Sequence, residues 1–189
     1  MSIKINTFRT RQKGLTLIEL IAGLAIVAAV VVGALSLFGT TSSAQKAMQM
    51  TTEIQGIRSA MGKLYSGTGT YGTVNMNSVL INAGKIPTTL KVTGTTISHG
   101  FGGDVTVMGA DRFYYIAISG MPQEACMEVA GGSGTWDAIT VDAVPTAANM
   151  TAASATGSLL ANTRNLSVDP ARASTVCSGG GKTLYFASR

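Results

Sequence analysis

Residues 15–38 read LTLIELIAGLAIVAAVVVGALSLF, and this run constrains the chain more than any other feature. Glu19 is the only charge between Lys13 and Lys46, and nothing more polar than Ser36 interrupts positions 20–38. As a helix rising about 1.5 Å per residue, those nineteen residues extend about 28 Å, close to the thickness of a bilayer's hydrocarbon core. In front of the run stand Lys4, Arg9, Arg11 and Lys13, with no acidic residue among the first 14. Most of the net charge of +5 belongs to this leader: of 14 Lys+Arg, four lie there, leaving 10 against 9 Asp+Glu, a net of +1, in the remainder. A nearly neutral body without a Lys/Arg cluster argues against a nucleic-acid partner.

Three readings compete for the segment. A secretory signal peptide cut after Ser42-Ser43-Ala44 has suitable small residues, but its apolar stretch is ordinarily 7–15 residues and carries no carboxylate. A plain membrane anchor explains the length but not Glu19, because an ionisable group in a membrane helix costs at least ~2.5 kcal/mol and marks a pairing. The third rests on local order. Lys13-Gly14 precedes Leu15-Thr16-Leu17-Ile18-Glu19-Leu20 at the junction of the basic and apolar stretches.

That junction resembles the processing site of type IV prepilins. In this family a membrane-embedded aspartyl peptidase cuts after a glycine and methylates the new N-terminal amine, and the fifth mature residue is a glutamate. Gly14, Leu15 and Glu19 match those places. The resemblance implies a cleaved leader (1–14), a transmembrane and filament-core half-helix (15–38), an extracytoplasmic half-helix (39–66) and a globular head (67–189). It also implies a homopolymeric filament built by prepilin peptidase, the inner membrane and an assembly machinery with a cytoplasmic ATPase. The leader's positive charges predict a precursor with its N-terminus inside and its head outside, later an extracellular pilus. Glu19 is expected to pair with the free Leu15 amine of a neighbouring subunit, relieving two buried charges and fixing axial register.

Beyond the apolar run the helix is expected to continue to residue 66, in all roughly 52 residues and about 78 Å. Ala47, Met50, Ile54, Ile57, Met61 and Leu64/Tyr65 recur at helical steps and define a face that packs on a sheet. Lys46, Gln49, Glu53 and Lys63 are expected to face elsewhere. In the body the pattern predicts a short helix over 75–83 and two short strands around a glycine turn over 96–107. A strong strand over 112–119 precedes a helix over 122–130. Weaker strands are expected over 138–141 and 183–187, and a helix opens at Asp169-Pro170. Residues 143–165, rich in Ala, Thr, Ser and Asn, read as exposed loop.

Ile118-Ser119-Gly120 followed by Gln123-Glu124-Ala125-Cys126, with Gly84-Lys85-Ile86-Pro87 and Gly102-Gly103-Asp104-Val105, is similar to type IVb pilins such as the toxin-coregulated, bundle-forming and conjugative thin-pilus pilins. This implies an α+β fold: a long N-terminal helix on an antiparallel sheet, with a disulfide-bounded C-terminal region. An exported pair, Cys126 and Cys177, favours a disulfide.

Other signals are weak. Gly67-Thr68-Gly69-Thr70-Tyr71-Gly72 fits a dinucleotide fingerprint but follows a long helix rather than a strand. Gly179-Gly180-Gly181-Lys182-Thr183 lacks the first glycine of a phosphate loop, position 176 being Val176. His99 is the only histidine and reads as a turn or surface residue. Asp137 and Asp142 read as a solvated pair, while Trp136 and the tyrosines suit core packing or a carbohydrate equally. No cofactor, metal or enzymatic activity is expected. The rival readings are a type II secretion pseudopilin and a membrane-anchored extracytoplasmic binding module.

Overall fold

The computed structural model describes residues 16–189. The chain divides into two units, one ending at Thr41 and the other running Ser42–Arg189. The processing positions Gly14 and Leu15 lie outside the described residues.

Thr16 opens helix α1, Leu17–Leu64, where its carbonyl accepts from the amides of Glu19 and Leu20 at 3.0 and 3.1 Å. Glu19 in the first turn and Lys63 in the last complement the helix macrodipole. In the first unit all the large aliphatic side chains from Leu17 to Leu37 are exposed, by 49 to 78%.

In the second unit α1 turns amphipathic. Ala47, Met50, Ile54, Ile57 and Met61 are at most 2% exposed and form one stripe of the core. Glu53 does not face away as expected: it is 4% exposed. It borders the apolar stripe beside Ile54, and the chain at Pro87 and Thr89 lies along that side of the helix.

The stripe packs with a seven-stranded antiparallel sheet of order β1-β2-β3-β4-β7-β5-β6. Its strands are β1 Lys91–Thr93, β2 Thr96–Ser98, β3 Asp104–Ala110, β4 Phe113–Met121, β5 Ala138–Val141, β6 Leu159–Asn162 and β7 Lys182–Ser188. Burial alternates along β3 and β4, so Val105, Val107, Tyr114, Ile116 and Ile118 point inward. Register aligns Val107, Ile116, Phe186 and Ile139 across four strands, a continuous apolar row. Gly109 sits where the 67–72 loop crosses β3: a Cβ there would lie 2.3 Å from the Tyr71 carbonyl oxygen.

Short helices complete the head: α2 Asn77–Asn82, α3 Gln123–Gly132, α4 Ala147–Thr151 and α5 Pro170–Val176. Asp169 caps α5 by accepting from the Ala171 amide, with Pro170 in the first turn. Pro122 stands at the N-cap of α3, one position ahead of its expected place. The stretch 143–165 is not an exposed loop. It holds α4 and β6, and all four residues of β6 are buried. The edge strand β1, three exposed residues paired with β2, also went unanticipated.

Candidate functional site

A helix that leaves its apolar side chains uncovered needs a nonaqueous surrounding or a partner. Among the described residues α1 is the one helix long and apolar enough to cross a membrane. Glu19 sits at 19 on this apolar stretch, in the first turn, where the unsatisfied amides of a helix N-terminus favour a carboxylate. The geometry therefore offers an acidic group at the start of an unburied apolar column.

The head is tied by Cys126 in α3 and Cys177, the C-cap of α5, which form a disulfide with Cα atoms 5.8 Å apart across 51 residues. Both sulfurs are buried, so the bond joins the two helices inside the core.

His99 is in a turn, as expected, but it is 5% exposed rather than at the surface. Its Nε2 lies 2.8 Å from the Ser119 carbonyl oxygen, which can only accept, so Nε2 carries the proton. Nδ1 accepts from the Phe101 amide at 3.3 Å. Both nitrogens are thus committed in a neutral ring, and neither is free to act as a base. Burial is the main cause that lowers its pKa below the usual 6.5; the Ser119 hydrogen bond and the carboxylates of Glu53 and Asp104 oppose it. Gly103 makes room for the ring and for Ser119, since a Cβ there would lie 2.0 Å from the Ser119 oxygen.

The remaining candidates resolve into structure. Asp142 is not simply solvated. Burial works to raise its pKa, but the Thr183 amide and the Lys182 ammonium, each 2.9 Å away, outweigh it and hold the carboxyl below its ordinary range. Asp137 accepts from the Arg189 amide at 2.7 Å. Trp136 is 3% exposed, donates to the Ser133 carbonyl at 3.0 Å, and packs on Phe186 with ring centroids 5.3 Å apart. The triglycine 179–181 takes positive φ throughout and turns the chain into β7. Among the described residues no group of three or more acidic, His or Cys side chains is placed to hold a metal.

Among the buried polar groups that sequence reasoning missed are Glu53 and Asn77. Asn77 donates to the Val105 carbonyl at 3.0 Å and accepts from the Val107 amide at 2.9 Å, which ties α2 to β3. No local pattern marks either residue, because their burial depends on segments tens of positions away.

The long N-terminal helix, the antiparallel sheet and the disulfide between α3 and α5 define a type IV pilin. The model of the prokaryotic N-terminal methylation motif matches residues 9–35, and that of the PilS N-terminal family matches 44–189. The chain belongs to the PilS family, among the type IVb pilins. It is 30% identical over 124 residues to the major structural subunit of bundle-forming pilus from Escherichia coli O127:H6 (strain E2348/69 / EPEC), and equally to that of Escherichia coli O111:H-. The match takes in 63% of this chain and 64% of each relative, just under two thirds of their length. The crystal structure of TcpA, a type IV pilin from Vibrio cholerae El Tor biotype, superposes with a TM-score of 0.55 at 14% identity, covering 77% of this chain and 99% of that one. That likeness is one of fold.

Proposed function

We propose that this chain is a structural subunit, the major one, of a type IVb pilus. The observation that carries the reading is the uncovered apolar stretch of α1 with Glu19 at its start. In the precursor, lipid covers that stretch and the basic leader holds the N-terminus inside. Prepilin peptidase then cuts between Gly14 and Leu15 and methylates the Leu15 amine. Assembly, driven by a cytoplasmic ATPase, moves the helix from lipid into a bundle of like helices. There the Glu19 carboxylate meets the Leu15 amine of a neighbour. Apolar helix surfaces slide easily past one another, so this pair sets the stagger, and each charge relieves the burial cost of the other. The 30% identity to two major structural subunits supports the assignment to a structural part.

Mass spectrometry of the N-terminus in sheared surface filaments tests the reading. A peptide beginning at methylated Leu15 is expected. An intact Met1, or a start at Gln45 with no chain in the filament fraction, would overturn it.

A further inference from the structure

Glu53 is the buried carboxylate for which the function above has no use. It is 4% exposed, yet it lines a groove of about 330 Å³ beside α1 with Gln49, Thr52, Gly56, Pro87 and Thr89. Its Oε1 accepts from Gln49 Nε2 at 2.8 Å. Among the described residues no cation stands within ion-pair distance of it; the one ion pair among them, Lys182–Asp142, does not involve it. The nearby groups are otherwise engaged. His99 is held neutral by Ser119 and Phe101, and Lys46 lies 5.9 Å over the Phe101 ring. A carboxyl group that lines a groove can accept from a lysine, and such a charge-assisted hydrogen bond is stronger than the neutral one from Gln49.

The adjoining groove on the same side of α1 has the opposite charge. It encloses about 260 Å³, shares Gly56 and Pro87 with the first, and is lined by Lys63 and Lys85, both exposed. Each copy therefore carries an anionic seat and, in the adjoining groove, lysines that fit it. Where the seat of one copy takes the lysine of the next, always in the same sense, the contact is heterologous and its repetition yields an open helical polymer.

We infer that the groove at Glu53 receives a lysine side chain, from Lys63 or Lys85, of a second copy of this chain. The inference rests on the polymerisation reading above and adds to it a contact in the head.

Treating filaments with a carbodiimide, which condenses a carboxylate and an amine in contact into an amide with loss of water, tests it. Wild-type filaments should give dimers whose joined peptides link Glu53 to Lys63 or Lys85, and detergent-dispersed monomers should not. Glu53→Gln should abolish that link and lower filament yield by about tenfold or more. Lys63→Gln with Lys85→Gln changes only exposed side chains and should reproduce the loss with the monomer's Tm unchanged. Wild-type filaments without the link, or full filament yield from both variants, would overturn the Glu53 seat alone. A wild-type chain that forms no filaments would overturn the polymerisation reading and the seat with it.

Discussion

His99 donates from Nε2 to the Ser119 carbonyl at 2.8 Å, and so pins the turn after β2 to the fourth strand. The fold holds this ring neutral, chiefly through burial, with a pKa below the 6.5 of an unfolded chain. The unfolded state then binds more protons as pH drops below that value, so the contribution of His99 is present above it and is lost on acidification through the folded-state pKa. Thermal melts of the head between pH 7.5 and 5 should lose Tm progressively. His99→Asn, which keeps a donor and an acceptor but does not titrate, should flatten that slope; equal slopes for both proteins would refute the account.

The Cys126–Cys177 bond closes a loop of 51 residues, worth about 4 kcal/mol in the chain-entropy model. Cys177→Ser, or reduction, should lower Tm of the head by roughly 10 °C. In cells the variant pilin should be degraded before assembly, which immunoblotting of whole cells would detect.

Asn77 satisfies two backbone groups of β3 from inside the protein. Asn77→Ala leaves both unpaired and should cost about 2–4 kcal/mol in urea unfolding. Asn77→Asp should cost more at pH 7, because a carboxylate would face the Val105 carbonyl that now accepts a hydrogen bond.

Two glycines should behave oppositely. Gly103→Ala puts a methyl 2.0 Å from a backbone oxygen and should prevent accumulation of folded head. Gly131→Ala, in α3 with nothing within 4 Å of the added carbon, should stabilise the head by up to about 1 kcal/mol. Expression with limited proteolysis separates the two outcomes.

Glu19→Leu makes the apolar column uniform. Cleavage should persist and filaments should vanish, giving processed pilin in the membrane fraction and none in the sheared fraction.

Much of this architecture was legible in the sequence because it rests on local patterns. The run from 20 to 35 is uniformly apolar, α1 keeps a 3–4 spacing through Met61, and β4 alternates through Ile118. What stayed hidden depends on distant partners. Leu159–Asn162 is buried on both faces, so it has no alternation to read. Its neighbourhood looks polar because the polar groups do structural work inside. Asn162 donates to the carbonyls of Asn149 and Ala152, and Arg172 donates to the Leu159 carbonyl at 2.8 Å. The burial of His99, legible only as a turn or surface residue, and of Glu53, expected to face away, is hidden for the same reason: charge and polarity set a prior for the surface, and only the long-range packing overrides it. For the proposed assembly site, Glu19 stands out as the sole charge in an apolar run, whereas Glu53 is one of several charges on an ordinary amphipathic stretch.

Strand β7, later in sequence than every other strand, occupies the interior of the sheet between β4 and β5. Without that strand, β4 and β5 each have a raw edge and no common neighbour. The half-sheets are joined only when residues 182–188 slot between them. A head clipped before residues 182–188 would thus be left in two open halves, an easy target for proteases, so the wholeness of the sheet depends on that one segment.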